Sequence, residues 1–224
     1  MPEDIRTLAY VLRRTNYGEA DRILDLITPE GKRAVMARGV RKARSKLAGA
    51  VEMFCLLDMN LHFGRGGLGV VTGSQMRKYH AGVLKEVERL ECATTILKRV
   101  GRVAEMSDSE ELFRIVDQSL TALSGGANVG LVRTWAELNL AKASGEQVNL
   151  QVDASGEALV LGERYEWDAM EAAFCRRPDG RVDDRMIKLM RLMWVSELLT
   201  VMRVKGAVDL VPEIWKIVRA INKI

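Results

Sequence analysis

Seven basic side chains and no acid lie between Gly31 and Val51: Lys32, Arg33, Arg38, Arg41, Lys42, Arg44 and Lys46. Cations at that density create a local positive field, and the chemistry this suits is holding a polyanion, phosphate backbones above all. Taken alone, such a run is equally a solvated loop without a partner. Its flanks change the balance, because both read as β-strands, so the charge sits on a folded scaffold and not on a tail. Arg13, Arg14 and Arg65 come from neighbouring segments and extend the set.

Other chemistry finds little support. Gly64-Arg65-Gly66-Gly67-Leu68-Gly69 satisfies G-x-G-x-x-G after a strand. A dinucleotide site needs those glycines to open a helix whose N-terminus meets the pyrophosphate. Val70-Val71-Thr72-Gly73 follows, β-branched and strand-like, so a hairpin turn is the better reading. No phosphate-binding loop with Gly-Lys-Ser/Thr, no G-x-S-x-G and no H-E-x-x-H occurs. The acids are scattered, no catalytic constellation emerges, and an enzyme is not expected. Cys55, Cys92 and Cys175 are odd in number and far apart, which suits thiols in a reducing cytoplasm better than disulfides. Without C-x-x-C, and with His62 and His80 isolated, no metal site and no cofactor are expected.

These cations need a frame. Residues 51–63 alternate, with Val51, Met53, Cys55, Leu57, Met59, Leu61 and Phe63 on one side, which predicts a strand with one buried face. Leu68–Thr72 predicts its partner. Upstream, Arg6–Arg14, Asp21–Thr28 and Lys32–Val40 read as strands, the last two joined by the turn Thr28-Pro29-Glu30-Gly31. About five strands in so short a stretch close as an OB-type barrel, and on pattern alone an SH3-like barrel fits almost as well. Residues 1–80 hold fourteen Lys and Arg against eight Asp and Glu, whereas the remainder holds twenty against twenty-two. The positive character belongs to this first part.

From Val83 the period changes to that of helices. Val83, Val87, Leu90, Leu97 and Val100 share a face, and Ser107-x-x-Glu110 reads as a capping box for a second helix ending at Ser124-Gly125-Gly126. A third helix runs over Val129–Lys142. Residues 145–163 read as a β-hairpin or irregular insert, a long amphipathic pattern resumes at Asp183, and a last helix begins near Pro212. The Met- and Trp-bearing stripe at 186–202 reads as core in preference to a binding groove. The fold class is therefore α+β: a barrel domain over 1–80 and a helical domain over 81–224. No run of eighteen apolar residues exists to span a membrane, and the acidic start Met1-Pro2-Glu3-Asp4 does not look like a signal peptide.

The first part also resembles a known family. Residues 12–32, from Leu12-Arg13-Arg14-Thr15-Asn16-Tyr17-Gly18-Glu19 to Thr28-Pro29-Glu30-Gly31-Lys32, are similar to the opening of RecO proteins, bacterial recombination mediators. So are residues 37–49, a basic loop leading into Ser45-Lys46-Leu47-Ala48-Gly49, and Phe54–Asp58 followed by Gly64-Arg65-Gly66. The resemblance implies an OB-fold N-terminal domain and a helical C-terminal domain in a protein of the bacterial cytoplasm. It implies binding of single- and double-stranded DNA, annealing of complementary strands, contact with the C-terminal tail of the single-stranded-DNA-binding protein, and loading of RecA together with RecR. Many family members carry a four-cysteine zinc module where this chain has residues 147–162, which lack cysteine, so a metal-free variant is implied.

On this reading Arg38, Arg41, Lys42, Arg44 and Lys46 make the principal phosphate contacts, and Arg13, Arg14, Lys32, Arg33 and Arg65 secondary ones. The logarithm of affinity then falls linearly with the logarithm of salt. Aromatics for base stacking are few here (Tyr10, Tyr17, Phe54, Phe63, Tyr79), so electrostatics dominates. An RNA-binding or translation-associated OB protein shares the same charge logic.

Overall fold

The computed structural model describes residues 2–222 other than 44, 46, 48, 50, 106–108 and 147. Strand β1, Glu3–Tyr17, serves two neighbours. Its first half pairs antiparallel with β4 (Cys55–Phe63) as far as Ala9, and its second half with β2 (Asp21–Thr28) from Tyr10, with an irregularity between Val11 and Arg13 just past the change of partner. Such a bulge bends and twists a strand, which is how one long strand turns the corner of a barrel. β2 pairs with β3 (Gly31–Ala37), and β4 with β5 (Gly69–Tyr79). The ring closes through a parallel contact of β3 with β5, of two residue pairs, Val35 with Gly69 and Met36 with Val70. The order β1-β2-β3-β5-β4 is that of an OB-fold barrel.

Alternation fills the barrel: Ala9, Val11, Leu24, Leu26, Val35, Leu57, Met59 and Leu61 point into one core. β1 departs from simple alternation, since Ala9, Tyr10, Val11 and Leu12 are all buried. Helices cover its outer face. α1 (Val87–Val103) brings Gly101 against Leu12, and α2 (Ser109–Ser124) packs Phe113 against the Tyr10 ring at 5.5 Å between centroids. A 3₁₀ turn at Ala81–Lys85 joins the barrel to α1. The barrel, α1 and α2 form one compact unit, Met1–Gly125.

A second unit, Gly126–Ile224, is built around α3 (Val129–Ala143). Asn128 caps α3 by accepting from the Leu131 N–H at 2.9 Å, and the helix is buried nearly all round. Around it lie α4 (Asp184–Val195), α5 (Leu198–Met202) and α6 (Ala207–Ile221). The two-stranded sheet, β6 (Tyr165–Asp168) with β7 (Ala173–Arg176), lies downstream of residues 145–163. Within that segment the described residues form a bridge, Val152 with Ala158, around a turn capped by Asp153.

Several limits differ from the sequence expectation. The strand expected from Val51 starts at Cys55, because Phe54 takes φ 59, a left-handed conformation that breaks the ladder. β5 continues to Tyr79, beyond Thr72, and α6 starts at Ala207, so Pro212 lies inside it. The expected capping box at Ser107 falls outside the described residues. Of the stripe at 186–202, Met186, Met190 and Met193 are buried as a core reading requires, whereas Trp194 is half-buried and Met202 is exposed.

Candidate nucleic-acid interface

The basic run leaves β3 at Ala37 and folds back onto the turn between β1 and β2. Gly39 N–H donates to the Asp21 carboxylate at 2.7 Å, Arg41 N–H to the Ala20 carbonyl at 2.9 Å, and the Arg41 guanidinium to the Gly18 carbonyl at 3.1 Å. Two further turns follow, Lys42 N–H to Gly39 O at 3.1 Å and Ser45 N–H to Lys42 O at 3.0 Å. Gly18 and Gly39 take φ 55 and 63, where a side chain would be strained. Arg38, Arg41 and Lys42 are exposed, and none has a carboxylate partner among the described residues. Arg44 and Lys46 lie outside the described residues.

The remaining cations are placed differently. Arg13 sits opposite Asp25 in the β1–β2 register and donates to it at 2.9 Å. Arg14 pairs with Glu52. Lys32 donates to the Gly101 carbonyl at 2.9 Å and to Glu105 at 3.1 Å, both from α1 and its end. Arg33 donates weakly to the Lys32 carbonyl at 3.4 Å. Arg65 is exposed in the β4–β5 turn. That turn, formed by the G-x-G-x-x-G residues, is a hairpin: Gly69 pairs with Phe63, and a Cβ on Gly69 would meet the Phe63 ring at 2.6 Å.

Three of these residues meet in one place. Arg13, Arg14 and Lys32 line a cleft of about 650 Å³ between the barrel and α1, floored by Leu12, Met53 and Leu97. Its far wall carries Lys98 and Arg102, which sequence reasoning missed. They stand four apart on the α1 face that also presents Thr94, Leu97 and Gly101, and this spacing was the available signal. Lys32 also lines a second cleft, with Arg6, Arg33, Gly64 and Gly67.

Two polar clusters brace this surface. Arg6 and Arg77 both grip Asp58, Arg6 through bonds of 2.9 and 2.8 Å, and these hydrogen bonds hold the Asp58 carboxyl well below the usual carboxylate range. Beneath α2, the Tyr10 hydroxyl donates to Asp117 at 2.6 Å and contacts His80 Nε2 at 3.1 Å. The single hydroxyl proton goes to the carboxylate, so His80 must be protonated at Nε2. Burial lowers the His80 pKa to about 4, so the ring is neutral at pH 7; burial and the Asp117 bond push the Tyr10 hydroxyl up. Among the described residues no group of three or more His, Cys, Asp or Glu could hold a metal ion, and no helix is long and apolar enough to cross a membrane.

Comparison with known proteins places this geometry. The family model for the recombination protein O N terminus matches residues 1–80, and that for the recombination protein O C terminus matches residues 85–223. A protein of Roseiflexus sp. named DNA repair protein RecO is 34% identical over 189 residues, 84% of this chain and 66% of its own length. A protein of the same name from Dehalococcoides mccartyi strain 195 is 27% identical over 229 residues, 98% of this chain and 89% of its own. One from Rubrobacter xylanophilus is 30% identical over 164 residues, 71% of this chain and 66% of its own. An OB barrel with the matching helical portion after it, covered by both models, means that the chain belongs to the RecO family.

Proposed function

We propose that this protein binds DNA through its phosphates, without reading bases, and acts as a recombination mediator in DNA repair. The observation that carries this reading is the set Arg38, Arg41 and Lys42: exposed, without carboxylate partners among the described residues, and held on an OB barrel by backbone hydrogen bonds. Cations that are fixed but not internally neutralised neutralise phosphate and release counterions. The names of the relatives support the repair role.

Stacking adds little by comparison. Tyr10 and Phe54 are buried and Phe63 is half-buried against the barrel core, which leaves Tyr17 and Tyr79, 54% and 48% exposed, as the open rings of the barrel strands. A protein that grips backbones leaves base edges free to pair, so annealing of complementary strands needs no chemical step. Cooperation with RecR in loading RecA, and capture of the tail of the single-stranded-DNA-binding protein, complete the mediator reading, both carried by family membership.

The test is charge reversal at Arg41, Lys42, Arg44 and Lys46 together, with folding checked by circular dichroism. Affinity for DNA should drop by at least about tenfold, and the slope of log affinity against log salt should flatten by about 3.6 for duplex DNA, at roughly 0.9 for each of four lost contacts. Wild-type affinity with a wild-type slope would place the binding surface elsewhere.

A further inference from the structure

We propose that the cleft between the barrel and α1 is a track for single-stranded DNA that a duplex does not enter, with Lys98 and Arg102 as its phosphate ligands. The inference rests on the DNA-binding reading above and adds to it the route of the strand and the selectivity of that route.

Charge pairing inside the cleft singles out two cations. Its acids are Asp25 and Glu105, and each is committed, Asp25 to Arg13 and Glu105 to Lys32. Arg14 is taken by Glu52. Lys98 and Arg102 are exposed and have no ion pair with any described residue. They stand about 6 Å apart along the helix axis, four residues at 1.5 Å each. Two unpaired cations, one turn apart and facing the same wall, can each take a phosphate oxygen of one strand.

Shape decides the kind of nucleic acid. A cleft of about 650 Å³ is in the range that encloses a ligand of nucleotide size, and its floor of Leu12, Met53 and Leu97 suits the apolar faces of sugar and base. A duplex presents paired backbones with its bases turned inward and would rest on the rims. Exposed cations outside the cleft, among them Arg38, Arg41 and Lys42 beside the β1–β2 turn, remain for it.

The track also has a direction. Lys32 lines both this cleft and the second one, but the second also carries Glu3 and Glu30 and its Arg6 is held by Asp58, so the free positive charge does not run on towards the β4–β5 turn. At the other end, β1 leads from Arg13 to Tyr17 over four residues, about 13 Å at 3.3 Å each, and Tyr17 lies beside the Gly18 carbonyl that holds Arg41. A polyphosphate chain gains from cations strung along such a path. An acidic peptide would use one segment of it, which is why the strand is the better occupant.

The test compares two variants of the full chain against labelled oligo(dT) and a blunt duplex of equal length. Lys98→Glu with Arg102→Glu should weaken oligo(dT) binding about tenfold, lower its salt slope by about 1.4, and change duplex affinity less than about twofold. The fourfold loop reversal should weaken both. Lys98→Gln with Arg102→Gln guards against misfolding and should show the same pattern at smaller amplitude. If the cleft variants bind oligo(dT) as wild type while the loop variant loses both ligands, the track is refuted and DNA binding stands. If neither set changes either ligand, both readings fall. Equal losses on oligo(dT) and duplex would refute the selectivity, and unchanged oligo(dT) binding with lost capture of an acidic C-terminal peptide would make the cleft a peptide site.

Discussion

Tyr10 shows how one side chain joins the barrel to its helical cover. Its ring lies under Phe113 and its hydroxyl serves Asp117 and His80. Tyr10→Phe keeps the ring and removes the bond to Asp117, leaving polar atoms without a partner, at a cost of about 1–3 kcal/mol measurable by urea unfolding. His80 adds a pH dependence of definite sign. Its folded value of about 4 lies below the ordinary 6.5. Above pH 6.5 the ring is neutral in folded and unfolded chains alike, and its contribution to stability is intact. As pH falls from 6.5 towards 4 the unfolded chain takes up a proton that the folded one refuses, and stability declines. His80→Gln should remove close to one proton from the slope of unfolding free energy against pH in that window. An unchanged slope would mean that the ring is not shielded. None of this was legible beforehand: an isolated His and an isolated Tyr, seventy residues apart, carry no sign that they touch.

Strands and helices were legible in proportion to how one-sided their burial is. β2 was read with its observed bounds, since Pro29 and Gly31 punctuate it, and β4 announced itself by alternation. β5 was read short because Gly73–Tyr79 is mostly wet, and a ladder held by backbone bonds leaves no hydrophobic period to detect. α3 is the exception: buried on nearly every side, it has little amphipathic contrast, yet it was read as Val129–Lys142, one residue short of its observed end at Ala143. Close approaches between elements were invisible as well. The 3₁₀ turn meets the end of α2 at Gly82, where an added Cβ would lie 2.0 Å from the Ser124 carbonyl oxygen. Gly82→Ala therefore forces the two apart and should cost about 1–3 kcal/mol in thermal or urea unfolding. A neutral result would show that the junction yields.

Across the molecule, compactness and family matching divide the chain differently. The family models meet between residues 80 and 85, whereas contacts keep α1 and α2 with the barrel up to Gly125. A fragment ending at Gly125 should unfold cooperatively. One ending at His80 uncovers Tyr10 and Leu12, a loss of roughly 3–6 kcal/mol for two large side chains, comparable to the whole stability of a small domain. Cooperative melting of the shorter fragment would show that the helices are dispensable. The same division explains what the basic residues concealed. Arg38, Arg41 and Lys42 are exposed on the barrel without a carboxylate partner among the described residues, much as a charge run suggests. The roles of Arg13, Arg14 and Lys32 depend on carboxylates brought in by register, by a loop and by a helix, and the Lys98–Arg102 wall exists only once α1 is laid on β1.

The shortest junction in the barrel, two residue pairs between β3 and β5, has a dynamic consequence. Closure rests on that seam alone, while every other neighbouring pair is zipped over at least seven positions. Amide protons along Val35–Ala37 should exchange with solvent sooner than those of β1 and β4, since opening there breaks the fewest bonds. The part of the basic run that lies beyond the strand, from Arg38 on, begins directly after Ala37. The wall of the barrel that can breathe most cheaply is thus the one that carries the cations, and it can shift to follow an irregular backbone while the opposite wall stays shut.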